Sequence, residues 1–100
     1  MKVPKAACAL CDSEWGNHWQ EVDGQRMFFC CWICARAFDN MVQEVKLRTG
    51  WKTMDEIKIV GDYRGRECTA VHGDETYEFR IKFDSESGEI ESFRGEDLAS

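Results

Sequence analysis

Polar and apolar residues alternate strictly from Thr76 to Asp84, where Tyr77, Phe79, Ile81 and Phe83 are separated by Glu78, Arg80 and Lys82. A period of two describes a strand with one buried and one wet face. Gly73-Asp74 offers a tight turn before it, which makes Arg66 to His72 its hairpin partner. Ser85 to Gly88 forms a second turn and Glu89 to Arg94 a third, weaker strand, because Ile90 and Phe93 differ in parity. From Cys31 to Thr49 the period changes. Cys34, Phe38, Met41, Val42 and Val45 recur at three- and four-residue spacing, as on one face of a helix, and Gly50 suits its C-terminal stop. Thr53-Met54-Asp55-Glu56 has the form of a capping box, which predicts a short helix starting near Met54. Ahead of the main helix, Cys8 to Phe29 is rich in turn formers, and Asp23-Gly24 between short apolar stretches predicts a hairpin leading straight into Cys30.

These elements predict an α+β fold, with a helix packed on a small antiparallel sheet. The apolar face of the first helix needs the sheet to cover it, so residues 1–100 are expected to form one domain. Within it, residues 8–49 make a cysteine-rich metal module with its helix, and residues 53–100 a short helix plus antiparallel sheet. A chain of 100 residues has room for one modest core, which a structural metal would reinforce.

Charge narrows the partners. The net charge is −6. Met1 to Lys52 carries seven Lys/Arg against six Asp/Glu, and Thr53 to Ser100 six against thirteen. This acidic half disfavours nucleic acid, whose binders present a basic face, and leaves only a local group at Arg36, Lys46, Arg48 and Lys52. No apolar run approaches the length that spans a bilayer, and no secretory signal is apparent, so no membrane association and a cytoplasmic location are expected.

The chemistry lies in the cysteines. Five of the six fall in the first 34 residues, as Cys8-x2-Cys11 and Cys30-Cys31-Trp32-Ile33-Cys34, with Cys68 apart. Disulfide frameworks spread their cysteines along the chain they staple, whereas clustering at short spacing favours a metal. A reversible disulfide or a set of unrelated buried thiols would be the alternatives. Four thiolates suit tetrahedral zinc best, though soft ligands also admit iron or copper(I). The second cysteine group sits where the helix begins, and unpaired amides there favour thiolates. A Cys31-x2-Cys34 pair would be an ordinary knuckle, so local spacing leaves Cys30 and Cys31 both open as ligands.

The run Phe29-Cys30-Cys31-Trp32-Ile33-Cys34-Ala35-Arg36-Ala37-Phe38, preceded by Asp23-Gly24 and by Cys8-Ala9-Leu10-Cys11, resembles the TRASH and YHS group of treble-clef zinc fingers, whose pattern the L24e family of ribosomal proteins shares. The amino-terminal finger of some heavy-metal P-type ATPases is similar. The resemblance covers Cys8 to about Val45. The whole chain resembles, more loosely, a small archaeal-type family with a zinc site. The resemblance implies a treble-clef-like module with ligands Cys8, Cys11, Cys30 and Cys34, leaving Cys31 as a spare thiol or alternate ligand.

Other residues carry less. Cys68 falls in a strand and reads as a small core residue. His18 and His72 read as a surface-loop and a solvated histidine, although His18 could substitute as a ligand. No nucleophile–base grouping or phosphate loop is recognisable, so no catalytic residue is assigned and no enzyme is expected. Trp15, Trp19, Trp32 and Trp51 are many for this length, and read as core before interface. The expected function is a non-enzymatic Zn2+-binding protein, its metal mainly structural, contacting another macromolecule, first of all a protein. The alternatives are soft-metal sensing or trafficking, and association with RNA or the ribosome.

Overall fold

The computed structural model describes residues 8, 10, 16, 18–22, 24–62, 65–84 and 86–95. Strands β1 (His18–Val22) and β2 (Gln25–Phe29) form an antiparallel hairpin, and helix α1 (Trp32–Thr49) follows. Strands β3 (Glu56–Asp62), β4 (Gly65–His72), β5 (Glu75–Phe83) and β6 (Ile90–Gly95) make a second antiparallel sheet in sequential order. The architecture is the expected α+β arrangement of a helix against small antiparallel sheets.

The first hairpin turns at Gly24, whose φ of 79° is the left-handed conformation a two-residue hairpin loop uses. Val22, Met27 and Phe29 point inward from its buried face. Helix α1 buries Ala35, Ala37, Phe38, Met41, Val42 and Val45, so the predicted stripe is the core face. Its end follows the glycine rule: Gly50 takes φ 80° and donates its amide to the Lys46 carbonyl at 2.8 Å.

One expected element is replaced. The helix predicted near Met54 is strand β3. Ile57 and Ile59 are buried while Lys58 and Val60 are exposed, an alternation that pairs with β4 through Ile57↔Ala70 and Ile59↔Cys68. Burial of the β-branched Ile57 and Ile59 against β4 outweighs the local capping pattern. Asp55 caps a turn instead of a helix. Its carboxylate accepts the Gly73 amide at 2.6 Å, and its own amide donates to the Val71 carbonyl at 2.8 Å.

The parity conflict in the last strand has a local cause. Ile81 pairs with Phe93 and Phe83 with Ile90, with a register shift between Lys82 and Phe83. The extra residue on β6 lets both Ile90 and Phe93 turn toward the core, as a β-bulge does. Three contacts tie α1 to the sheet. Asn40 donates to the Gly88 carbonyl at 3.0 Å, the Arg48 guanidinium lies 4.2 Å over Phe93, and Trp51, just past the helix, donates to Glu75 at 2.8 Å. Among the described residues, no helix is long and apolar enough to cross a membrane.

Candidate metal centre

The second cysteine group stands at a junction between two elements. Cys30 directly follows β2, Cys31 is the N-cap of α1 with extended backbone, and Cys34 lies in the first turn. A strand running into a helix this abruptly turns several side chains to one side and aims the unpaired amides of the first turn at them.

The thiols of Cys8, Cys30 and Cys34 converge, with their Sγ atoms all within 4.8 Å of one another. Those of Cys30 and Cys34 are 3.4 Å apart. Four sulfurs at a Zn–S distance near 2.3 Å would lie about 3.8 Å from each other in a tetrahedron. The trio therefore fits three corners of a thiolate site and is compatible with metal binding. Cys31 stands beside this trio, its Sγ 3.8 Å from that of Cys30. Cys11, the fourth expected ligand, lies outside the described residues.

Burial, the largest single influence, pushes the Cys31 thiol up, but several smaller opposing contacts together hold it below the ordinary thiol value. These are the backbone amides of Cys34 and Ile33, aided by the Cys30 and Cys34 side chains. The thiol gains thiolate character from the helix N-terminus, as cysteines in that position do.

Gly16 positions Cys30. It adopts φ 103°, and a Cβ there would fall 2.2 Å from the Cys30 carbonyl oxygen. Only glycine lets the loop backbone close on the cysteine. In the sequence Gly16 reads simply as a turn former, because the close approach arises from tertiary folding.

The remaining expected positions divide. Cys68 is a buried core residue, as expected. His18 lies on β1 and not in a loop, part-buried with Nε2 3.5 Å from the Gln20 side chain, and it does not join the thiol trio. His72 is part-buried and not fully solvated, stacking on Trp51 at 5.2 Å at the end of β4. Trp51 is buried, whereas Trp19 and Trp32 are 52% and 53% exposed, so the core reading holds for Trp51 and fails for those two. Trp15 lies outside the described residues. Of the basic group, Arg36 faces Glu89 at 3.7 Å and Arg48 pairs with Glu44 at 2.9 Å.

Fold and site together define a class: a small α+β protein with a cysteine cluster at the start of its helix, suited to a metal ion. The chain belongs to the Ta0938 family, whose model matches residues 5–96. No curated protein and no solved structure matches it significantly.

Proposed function

We propose that the protein is a small non-enzymatic zinc-binding module whose metal is mainly structural and whose surface contacts another protein. The convergence of Cys8, Cys30 and Cys34 carries this reading. Cys11 is the proposed fourth ligand, with Cys31 as the alternate. The order of cysteine pair, hairpin and cysteines at a helix start supports a treble-clef-like module, as in TRASH and YHS fingers. Four thiolates leave no coordination position for water or substrate, which is the arrangement of structural and not catalytic zinc. Bound there, zinc would supply folding energy directly, on the order of 10 kcal/mol in comparable sites.

The exposed face of the first hairpin supports the interaction role. Trp19 meets Phe28 edge-on at 5.4 Å, and the Arg26 guanidinium lies 5.0 Å over the Trp19 ring. Tryptophan and arginine dominate the energetic centres of protein interfaces. Two of the four cations considered for RNA are already engaged by Glu89 and Glu44, which favours a protein partner.

Cobalt(II) titration of the reduced, metal-free protein tests the site. The expected result is one equivalent bound with strong thiolate-to-cobalt absorption, displaced by zinc. Absence of that absorption would contradict the reading. The surface role predicts that Trp19→Ala abolishes capture of a partner from cell extract while leaving thermal stability unchanged; capture unaffected by the substitution would remove the hairpin from the interface.

A second reading, soft-metal handling, draws on Cys31 and its thiolate character next to the trio. It predicts fast exchange of zinc for cadmium that slows in Cys31→Ser with the fold intact. An unchanged exchange rate would dispose of it.

A further inference from the structure

A small pocket of about 180 Å³ opens beside the cysteine cluster, lined by Leu10, Cys31, Ile33, Cys34, Ala37, Arg66 and Phe83. Its walls come from the start of α1 on one side and from β4 and β5 on the other. Among the described lining residues, Arg66 is the one polar side chain apart from the two thiols. It is only 9% exposed. Its Nε is buried without a hydrogen-bond partner, and no ion pair reaches the guanidinium among the described residues. Its nearest described ring is Phe83, 5.9 Å from Cζ.

Such a residue is costly. Its buried Nε gives up a hydrogen bond to water that no described group replaces. A methionine of similar length would fill the same place at less cost. The cost is recovered if an anion enters the pocket. Guanidinium presents a planar fork of donors that matches two oxygens of a carboxylate. The volume equals the liquid volume of about six water molecules. Of the other described lining residues, Leu10, Ala37 and Phe83 belong to the buried core.

We propose that this pocket binds a small monocarboxylate, its oxygens held by Arg66 and its short apolar body seated against Ile33, Ala37 and Phe83. A carboxylate fits better than a phosphate, because a single guanidinium is the one cation among the described lining residues, and the Cys31 and Cys34 thiols offer nothing to a second negative charge. The pocket shares Cys34 with the thiol trio, but the carboxylate is held by Arg66, and the proposal does not depend on which metal the cysteines hold.

The test is a titration of the zinc-loaded, isotope-labelled protein with butyrate, followed by NMR, with neutral butyramide and inorganic phosphate as comparison probes. The expected result is saturable shifts at the Arg66 side chain and at the Ile33 and Ala37 methyls with butyrate, and none with butyramide. Arg66→Met should weaken butyrate binding by roughly tenfold or more, consistent with loss of a charge-assisted pair, and Arg66→Lys less. Should Arg66→Met fail to fold, Arg66→Lys and the comparison of butyrate with butyramide on the unmodified chain still decide. Equal binding of butyramide, or tighter binding of phosphate, would overturn the assignment. So would the absence of butyrate binding together with loss of zinc affinity in Arg66→Met, which would make the guanidinium a counter-charge to the metal-bound thiolates.

Discussion

Gly16 holds a loop backbone directly against Cys30, and on that contact depends where one proposed metal ligand points. Gly16→Ala forces both a left-handed non-glycine residue and a backbone clash, so it should cost about 2 kcal/mol or more and lower metal affinity with it. Zinc competition against a chromophoric chelator reads the affinity, and unaltered affinity would show that the loop does not position the thiol. The neighbouring cysteines should behave differently. Cys30→Ser should lose the metal, whereas Cys31→Ser should keep it, since Cys31 stands beside the trio. In metal-free protein Cys31 should also alkylate with a midpoint below that of a small solvent-exposed thiol, because helix amides favour its thiolate. The sign follows from the lowered value. The stabilisation is present above the ordinary thiol pKa and is lost as pH falls through the lowered one. The cysteine spacing pointed to the cluster, but spacing alone could not choose between Cys30 and Cys31. The buried Arg66 was invisible in the sequence, where its alternation within β4 marks only which face it shares.

At the level of elements, local signals succeeded where they agreed with tertiary pairing. Alternation from Tyr77 to Phe83, the helical stripe ending at Val45 and the glycine stop at Gly50 all appear as expected. They failed where a local motif competed with the sheet. Thr53-x-x-Glu56 reads as a helix start, yet Ile57 and Ile59 find partners on β4, and Asp55 serves the turn between β4 and β5. Asp55→Ala should therefore cost about 1 kcal/mol in denaturant unfolding, the usual worth of such a bond. If the residue capped a helix, the loss would come with reduced helical circular dichroism; here the helical signal should stay constant. The bulge on β6 explains why Ile90 and Phe93 defied a simple period, since an inserted residue resets parity in a way no single strand reveals.

Across the whole molecule, α1 joins the cysteine-bearing end to the meander. Phe38, fully buried, meets Phe29 of the hairpin at 5.6 Å, while Asn40 and Arg48 reach the Gly88 turn and Phe93. Phe38→Ala should destabilise the entire fold by about 3–5 kcal/mol and do so in one transition, because the same core serves hairpin, helix and sheet. A second, separate transition would show that the hairpin unfolds on its own. The central claim concerns the other end of that connection, where the thiols of Cys8, ahead of the hairpin, of Cys30, just after β2, and of Cys34 in α1 share one metal. Native mass spectrometry with elemental analysis, on protein purified under reducing conditions and again after chelation, tests it most directly. The account predicts one zinc per chain, lost in Cys8→Ser, Cys30→Ser and Cys34→Ser together with folded structure. A protein that is fully folded without metal and takes up none when zinc is returned would contradict it.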